Sequence, residues 1–483
     1  MAGSNSRLEE LRAQLAKIKS GQARGTLMNT SMIEGMIKAL EKAEADIAKK
    51  ATLTPALPVV EKKVEAKKEV ERTRSPIRLC LFDLDDTLLR TSDLDAFRGV
   101  ANLNNASRQY TTSLLAAYRG QPDRVIYTRE HHAGLRQDHH EMQWGIFTRA
   151  PRHYAQTLLD EAYPGLHWDT VIAFEDVRNT KPHGDGIWAA MDACEIENVD
   201  HVALVGDEKI DIQAAYQGGC WSILDQTSWE RPWESPRYWA IERVPDAVID
   251  EPAKLSRVLA QPKGYWPELE YEIDKQAVLP GREHRFDSIN HFFPRPDKSY
   301  APITVLGRLF GEYEELRPRR RWHSLTDQIL AHKDATAFPS GWVSALRNYL
   351  YRLGVMGDLL ATVIPFKPGR PARLEALLGQ VKQSHLAEPI RTGRTFSFAP
   401  GLLAFREGAV SSHGHHLTRE ERFANVGENL YVAQPDLAKG KRIVIIDDVA
   451  TTGATLLWAH RYLLAAGARS VNCVSLTKAV SIG

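Results

Sequence analysis

The chain contains two stretches in which short apolar runs alternate with longer segments of helical spacing. In the first stretch, from Ile77 onwards, the apolar runs are Leu79–Phe82, Trp144–Thr148, Val171–Phe174, His201–Val205 and Trp221–Leu224. Runs of this length are typical of strands, and the segments between them are long enough for helices. The order predicts a parallel sheet with both faces covered. This unit closes near Leu259, after a final apolar run at Ala247–Ile249.

A second stretch of the same kind occupies residues 325–483. Its apolar runs are Ala361–Phe366, Thr395–Ala399, Ile443–Ile446 and Val471–Leu476. The chain is therefore predicted to be of the α/β class, with two doubly wound parallel-sheet domains at residues 77–261 and 325–483. Between them, residues 262–324 are rich in aromatic residues, prolines and arginines and show little periodicity. We interpret them as a connecting region.

The N-terminal residues precede both units and have a different pattern. Within residues 1–50, Leu8, Leu11 and Leu15 begin a helical spacing that recurs around Leu40. The pattern predicts a helical segment that packs on another part of the protein. An oligomerising coiled coil, giving a homo-oligomer, is the alternative. Residues 51–76 combine prolines with a Lys/Glu run, which indicates a charged linker.

Composition narrows the location and the partners. A length of 483 residues suggests two to four domains, and a net charge of +1 gives no footprint for nucleic acid or a membrane surface. No apolar run approaches the roughly 20 residues that span a bilayer. The four cysteines form no CxxC pair. We therefore expect a reduced, cytoplasmic protein without a membrane partner.

The first set of chemical residues lies at strand ends of the first unit. Asp83 and Asp85 directly follow the run that ends at Phe82. An aspartate at such a position can attack a phosphoryl group, and a second one two residues later can exchange a proton with the leaving oxygen. Two later strand ends carry Thr148 and Asp207, and Asp211 follows shortly after Asp207. The crowded carboxylates call for a cation, and Mg²⁺ suits such a site.

This series resembles the haloacid dehalogenase-like (HAD) hydrolases over residues 77–261. The resemblance implies catalytic roles for Asp83 as nucleophile and Asp85 as general acid/base. It implies that Thr148 and Lys181 bind the phosphoryl group. It also implies that Mg²⁺ is held by the metal-site residues Asp83, Asp85, Asp207 and Asp211. The second aspartate favours a phosphatase, which would act on a phosphomonoester substrate.

By the same resemblance, residues 91–143 fall where this family inserts a helical cap that selects the substrate. The segment contains four histidines: His131, His132, His139 and His140. Their spacing matches no metal motif. We interpret them as solvent-exposed or hydrogen-bonding residues, with a metal cluster or a substrate-facing acid/base set as the alternative.

The second set of chemical residues lies in the second unit, where an acidic pair and a hydroxyl-rich loop follow Ile446. The pair is Asp447 and Asp448, and the loop runs from Thr451 to Thr455 before an apolar helical segment. Such a loop offers backbone N–H groups and hydroxyls to a phosphate at a helix N-terminus. It lacks the GxxxxGK[ST] pattern of a Walker A loop.

This motif resembles the loop of type I phosphoribosyltransferases that binds phosphoribosyl pyrophosphate (PRPP), and most closely the ComF-like branch. The resemblance implies that Asp447 and Asp448 contact ribose hydroxyls. It implies that the loop holds the 5′-phosphate through Thr451, Thr452, Gly453 and Thr455. Lys367 and Arg370, in the loop after another strand, would bind the pyrophosphate. A base or base-like molecule would be the acceptor.

Two further segments are placed by the resemblance. Residues 407–430 fall where the family has a mobile loop that closes over PRPP, which makes Arg419 and Arg422 candidates to reach the pyrophosphate. Residues 262–324 are candidates for the hood, the part that selects the acceptor. Their arginine run, Arg317–Arg321, is equally consistent with a solvated face or a contact between domains.

Together the two motifs predict a bifunctional enzyme. The transferase would make or break a nucleotide-like metabolite, and the phosphatase would remove a phosphate, most economically from the transferase's product. Fusions of this kind resemble proteins from bacterial stress and tellurium-resistance gene clusters. The alternatives are a nucleotide-depleting effector and a protein whose transferase domain only senses PRPP or a nucleotide.

Overall fold

The first sheet is parallel and has helices on both faces. The computed structural model describes residues 77–230, 240–274, 282–366, 370–389, 395–407 and 418–482, which belong to one compact unit. Six strands pair in the order β3-β2-β1-β4-β5-β6. They are β1 (Leu79–Phe82), β2 (Gln143–Phe147), β3 (Thr170–Ile172), β4 (Val202–Gly206), β5 (Trp221–Asp225) and β6 (Ala247–Ile249).

Burial on both faces explains why these strands are nearly continuous apolar runs. Along β1, Leu79 and Leu81 pack into one core, whereas Cys80 and Phe82 pack into the core on the other face. All four side chains are buried. The predicted strand positions in this unit are confirmed, with ends that differ by one or two residues.

The second sheet is mixed rather than purely parallel. Its path is β11-β10-β14-β15-β8-β7, and β9 pairs with the far end of β15. Strand β7 runs antiparallel to β8 at one edge, and the other pairs are parallel. The strands are β7 (Asp287–Phe292), β8 (Tyr300–Val305), β9 (Arg308–Phe310), β10 (Leu359–Val363), β11 (Phe396–Phe398), β14 (Arg442–Ala450) and β15 (Ser470–Val480).

Helices cover these sheets, and a small antiparallel pair of strands, β12 (Leu403–Phe405) and β13 (Leu430–Val432), lies beside the second one. In the first unit the α-helices are α1 (Asp95–Arg98), α2 (Arg108–Arg119), α3 (Arg129–Asp138), α4 (Arg152–Ala162), α5 (Asp185–Ala193), α6 (Lys209–Gly218) and α7 (Leu255–Ala260). Beyond it are α8 (Glu268–Ile273), α9 (Arg317–Arg320), α10 (Ser324–Ala331), α11 (Ser340–Gly354), α12 (Arg373–Ala387), α13 (Arg419–Asn429), α14 (Pro435–Ala438) and α15 (Ala454–Ala465).

Each sheet has one point at which the chain reverses its direction of progress across the sheet. In the first sheet the chain goes from β1 outwards to β3 and then returns to β4 on the other side of β1. In the second, it goes from β10 to β11 and returns to β14. Ligands of open α/β sheets bind in the crevice at such a point, outside the carboxyl ends of the strands.

The segment 262–324, predicted as a connecting or hood region, contributes directly to the second sheet. It supplies β7, β8 and β9, and its arginine run forms the short helix α9. The Arg319 side chain is fully buried and pairs with Asp246 of the first unit. Of the interpretations left open for the arginine run, contact between domains is therefore the one that fits Arg319.

The segment predicted as a cap, residues 91–143, does not form a core of its own among the described residues. Its helices α2 and α3 bury Leu114 and Leu135 in the same core that contains Phe82 and Trp144. The apolar faces of these helices are therefore buried in the core beside the sheet. Within the predicted mobile loop at residues 407–430, Arg419–Asn429 forms the helix α13, and residues 408–417 lie outside the described residues.

Some predictions lie outside the described residues. They concern the helical segment at residues 1–50, the linker at residues 51–76, and Lys367. Within the described parts of the chain, no helix is long and apolar enough to cross a membrane.

Candidate active sites

The carboxyl ends of β1 and β4 bring three of the predicted acidic residues together. Asp83 follows β1, Asp207 follows β4, and Asp211 lies in the first turn of α6. Carboxylate oxygens of all three lie within 4.8 Å of one another. Gly206 makes this approach feasible, because a Cβ atom there would lie 2.2 Å from Cγ of Asp211.

Lys181 is the cation of this cluster. Its Nζ atom lies 2.5 Å from Oδ1 of Asp83 and 2.7 Å from Oδ1 of Asp211, and only 1% of its side chain is exposed. Burial, opposed by Lys181, raises the pKa of Asp83 to about 7. Burial, reinforced by Asp83, raises the pKa of Asp207 to about 9. One lysine does not offset three crowded carboxyl groups, and the group as a whole favours an added cation.

Asp85 does not join this cluster. Its Oδ1 atom accepts hydrogen bonds from Thr91 Oγ1 at 2.6 Å and from the Tyr154 hydroxyl at 2.8 Å, and it lies 3.2 Å from Arg98. These donors fix the direction of the carboxylate, which is not part of the three-carboxylate group. The predicted roles of Asp85 as metal ligand and as general acid/base both stay predictions.

Thr148 occupies the predicted place at the end of β2. Its side chain is 1% exposed, and its Oγ1 atom accepts a hydrogen bond from the backbone N–H of Ala150 at 3.1 Å. A further hydroxyl, that of Thr87, donates to Oδ1 of Asp207 at 3.1 Å. Thr87 stands in the same motif as Asp83, and sequence reasoning gave it no role.

The four histidines lie in different surroundings. His131 caps α3, His132 is buried among aromatic rings, His139 contacts Ser256, and His140 lies near Glu141 at the surface. Among the described residues they take part in no group that could hold a metal. The interpretation as hydrogen-bonding or exposed residues fits His131, His139 and His140, but not His132, which is buried and whose Nε2 atom has no hydrogen-bond partner.

The second candidate site lies at the reversal point between β10 and β14. The loop 451–453 links β14 to α15, and Gly453 has a φ of +76°. A Cβ atom at Gly453 would lie 2.6 Å from Cδ2 of His291. Lys478 donates from Nζ to the Thr451 carbonyl at 2.5 Å. Glycine is thus required at position 453. The loop is contacted by His291 of β7 and by Lys478 of β15.

The acidic pair lies in the C-terminal part of β14, which continues past both residues to Ala450. Burial and the neighbouring Asp448 raise the pKa of Asp447 well above its usual range. Asp448 is ion-paired with Arg373, and its Oδ1 atom accepts the backbone N–H of Val449 at 2.8 Å. The two adjacent carboxyl groups therefore differ in their surroundings.

A cavity of about 500 Å³ opens in front of this pair and loop. The predicted residues that line it are Arg370, Arg422, Asp447, Asp448, Thr451, Thr452, Gly453 and Thr455. Arg419 is not among the lining residues, and its guanidinium donates to the Phe292 carbonyl at 2.9 Å. The geometry therefore separates the two candidate arginines of the predicted mobile loop, since it brings only Arg422 to the cavity.

Several residues of both sites carried no signal in the sequence. Tyr154 and Arg98 reach Asp85 from helices α4 and α1, and Arg373 reaches Asp448 from the start of α12. Each is separated from its partner by more than ten residues and belongs to no motif. Only the packing of helices on the sheets brings them to the sites.

Two family models match separate parts of the chain. Residues 133–224 match the model described as haloacid dehalogenase-like hydrolase, and residues 411–480 match the model described as phosphoribosyl transferase domain. The first match spans β2 to β5. The second match includes the loop 451–453 that resembles a PRPP-binding loop. Together they support the two resemblances read from the motifs.

The curated relatives each match less than a third of the chain. Ribose-phosphate pyrophosphokinase of Saccharolobus solfataricus is 27% identical over 29% of this chain and 51% of its own length. Pyrophosphatase PpaX of Anoxybacillus flavithermus is 29% identical over 30% of this chain and 80% of its own length. Phosphoglycolate phosphatase of Escherichia coli is 33% identical over 16% of this chain and 31% of its own length. The chain thus spans about half or less of two of these three relatives.

Solved structures with some likeness include 2-haloacid dehalogenase from Pseudomonas syringae, 18% identical, with a TM-score of 0.26 over 38% of this chain and 99% of the other. CbbY from Rhodobacter sphaeroides, in complex with phosphate, is 17% identical, with a TM-score of 0.25 over 37% of this chain and 96% of the other. The two family models and the two open α/β sheets together support a fusion of a haloacid dehalogenase-like hydrolase domain with a phosphoribosyl transferase domain.

Proposed function

We propose that the protein is a bifunctional enzyme that hydrolyses a phosphomonoester at the first site and transfers a phosphoribosyl group at the second. The observation that carries the proposal is the position of both sites. Each group of carboxylates lies at the carboxyl ends of the strands that flank the reversal point of its sheet. That is where such sheets bind their ligands.

In the hydrolase, an Asp83 oxygen attacks phosphorus and the bond from phosphorus to the ester oxygen breaks. Asp85 gives its proton to the departing oxygen, and an aspartyl-phosphate remains. Asp85 then takes a proton from water, whose oxygen attacks the same phosphorus. The bond from phosphorus to the Asp83 oxygen breaks, inorganic phosphate leaves, and the Asp83 carboxylate is regenerated. Lys181, 2.5 Å from Asp83, is placed to offset the charge of the phosphoryl group.

The three-carboxylate group suits Mg²⁺, because hard oxygen ligands are what this cation prefers. Asp83, Asp207 and Asp211 would hold it. When bound, Mg²⁺ supplies positive charge that lets a phosphate dianion approach the carboxylates. The observation of fit is the approach of the three carboxylates, whose oxygens lie within 4.8 Å of one another. Burial, reinforced by the neighbouring carboxylates, raises the pKa of Asp207 to about 9.

In the transferase, a nitrogen of the acceptor forms a bond to C1 of the ribose while the bond from C1 to the pyrophosphate oxygen breaks. Pyrophosphate leaves with the electron pair. Asp447 and Asp448 would bind the ribose hydroxyls, and the loop around Gly453 would hold the 5′-phosphate. Catalysis would then consist mainly of positioning and charge stabilisation, with Arg370 and Arg422 facing the pyrophosphate.

We further infer that the two reactions act in series, with the transferase making a 5′-phosphoribosyl product and the phosphatase removing its phosphate. The ComF-like character of the transferase, a cytoplasmic location and a role in a bacterial stress response belong to this proposal. Removal of the phosphate would pull a reversible transfer forward. The likeness of part of this chain to a ribose-phosphate pyrophosphokinase is in keeping with a ligand that contains ribose phosphate.

A PRPP-sensing or nucleotide-depleting protein is the second candidate function. A sensor would use the same acidic pair and loop, which line one cavity, because PRPP binding needs both. Sensing would require PRPP binding without turnover. Depletion would lower nucleotide pools when the protein is expressed in a cell.

Separate assays of the two half-reactions test the proposal. Purified protein with Mg²⁺ is expected to release inorganic phosphate from a phosphomonoester panel, and Asp83→Asn is expected to abolish that release alone. Pyrophosphate release from PRPP with a panel of bases is expected to be lost in the Asp447→Asn/Asp448→Asn double variant alone. Loss of both activities in either variant, at unchanged thermal stability, would contradict two separate sites.

A further inference from the structure

We propose that Arg373 is a positioning residue of the transferase site, which holds the Asp448 carboxylate in the orientation that receives the ribose hydroxyls. This inference rests on the proposed transferase function. Arg373 is the first residue of α12, after the loop that contains Arg370, and it lines the same cavity as the acidic pair.

The guanidinium of Arg373 is fixed at both ends. One terminal nitrogen donates to Oδ2 of Asp448, and the other donates to the backbone carbonyl of His332 at 3.1 Å. The guanidinium carbon lies 5.9 Å from the ring centre of Phe338. Only 16% of the side chain is exposed. A group committed in this way serves better to orient a neighbour than to reach for a ligand.

The Asp448 carboxylate is consequently oriented on both sides. Its Oδ2 atom accepts from Arg373, and its Oδ1 atom accepts the Val449 N–H at 2.8 Å. A carboxylate oxygen has two lone pairs, so each atom keeps one for a ligand hydroxyl. The side chain is 25% exposed and borders the cavity. Adjacent hydroxyls of a ribose match two such acceptors.

Charge explains why the arginine is needed. Asp447 and Asp448 are adjacent in sequence and line the same cavity, so two negative groups lie close together there. A charge-assisted bond from arginine compensates the negative charge that Asp448 needs as a pure acceptor. Without this bond the Asp448 carboxylate would lose both its fixed orientation and the positive charge that offsets its negative charge.

Binding measured by calorimetry with three ligands in the presence of Mg²⁺ tests the assignment on the full chain. The ligands are PRPP, ribose 5-phosphate and inorganic pyrophosphate. Arg373→Gln is expected to weaken PRPP and ribose 5-phosphate by a similar factor of about tenfold or more, and to leave pyrophosphate unchanged. Arg370→Gln is the matched comparison, since it should weaken PRPP and pyrophosphate and leave ribose 5-phosphate unchanged.

A double-mutant cycle with Asp448→Asn shows whether Arg373 acts through that residue. The loss caused by Arg373→Gln should disappear in the Asp448→Asn background, because the two changes remove one unit. Arg373→Lys keeps the charge and should recover part of the affinity, which guards against a folding defect, and the phosphatase activity reports the fold of each variant.

Four results would overturn the assignment. Additive losses in the cycle would separate Arg373 from Asp448, and a loss confined to PRPP and pyrophosphate would make Arg373 a pyrophosphate ligand instead. If the unmodified protein bound none of the three ligands, the proposed transferase function would fail and this inference with it. If it bound all three and Arg373→Gln bound them equally well, only this inference would fail.

Discussion

At the residue scale, both sites depend on side chains held in one orientation by partners from other elements. Asp85 takes its direction from Thr91, Tyr154 and Arg98, and Asp448 takes its direction from Arg373. The acidic residues themselves could be predicted, because they follow apolar runs and stand close together in the sequence. Their partners could not, since they come from distant helices whose packing leaves no local signal.

The buried lysine of the hydrolase site gives a first prediction. Lys181→Met leaves Asp83 and Asp211 without their cation, so phosphate release should fall by at least about 100-fold. Phosphoribosyl transfer should persist, because Lys181 belongs to the first unit. Lys254→Met removes an exposed lysine paired with Asp250 and serves as the control. Equal activity of the Lys181 variant and the control in a phosphate-release assay would contradict the assignment.

Gly453 gives a second prediction. Alanine there meets both a φ of +76° and the ring of His291 at 2.6 Å, so the loop should be displaced. Strain of roughly 1 to 3 kcal/mol is expected, and PRPP affinity should fall about tenfold or more.

Gly379→Ala is the control for Gly453→Ala, since Gly379 lies within α12 with nothing within 4 Å of an added Cβ. It should leave binding unchanged and stabilise the helix by about 0.5 to 1 kcal/mol. Unchanged PRPP binding by Gly453→Ala in calorimetry would show that the loop does not hold the phosphate.

At the element scale, strands made of continuous apolar runs were easier to predict than strands that contain polar residues. The runs of the first unit and Ile443–Ile446 were visible because burial on both faces makes such strands apolar. Strand β15 extends to Val480, well beyond the predicted end at Leu476. The prediction ended there because the next residue, Thr477, is polar, although it is buried in the structure. Strands β7 to β9 were missed because prolines, polar residues and aromatic residues interrupt their alternation.

The capping box of α13 gives a third prediction. Thr418 accepts the Glu421 N–H, and Glu421 accepts the Thr418 N–H at 2.7 Å, which fixes the turn that carries Arg422. Thr418→Ala should lower the free energy of unfolding by about 1 kcal/mol. It should also speed hydrogen exchange at the start of α13 and weaken PRPP binding.

Thr128→Ala removes the corresponding cap of α3 and is the matched control. It should carry a similar stability cost and leave PRPP binding intact. If both variants reduced PRPP affinity alike, the effect of Thr418→Ala would reflect global stability rather than the position of Arg422.

At the scale of the whole molecule, the two units share buried structure. Asp246, before β6, accepts hydrogen bonds from Arg308 of β9 and from Arg319 of α9, and Arg308 also pairs with Glu270. All four side chains are buried. The Tyr216 ring of α6 lies 5.1 Å from that of Phe310, and one apolar core includes residues of both units. The sequence left a contact between domains open for the arginine run, but it did not indicate the partners Asp246 and Glu270, because charged residues are typical of surfaces.

A fourth prediction follows from this junction. Asp246→Asn leaves two buried arginines without a full counter-charge, which should cost about 3 to 5 kcal/mol of stability. Both activities should then be lost at the same lower temperature, since the network contacts both units. Asp250→Asn, at an exposed ion pair, should cost little. Separate inactivation temperatures for the two activities would contradict a shared junction.

The measurement that tests the central claim most directly is mass spectrometry of the products formed from PRPP, Mg²⁺ and a bacterial metabolite extract. The account predicts an unphosphorylated riboside with the unmodified protein, its 5′-phosphate with Asp83→Asn, and neither with Asp447→Asn/Asp448→Asn. A 5′-phosphate that accumulates with the unmodified protein, or PRPP that persists in every sample, would contradict two enzymes acting in series.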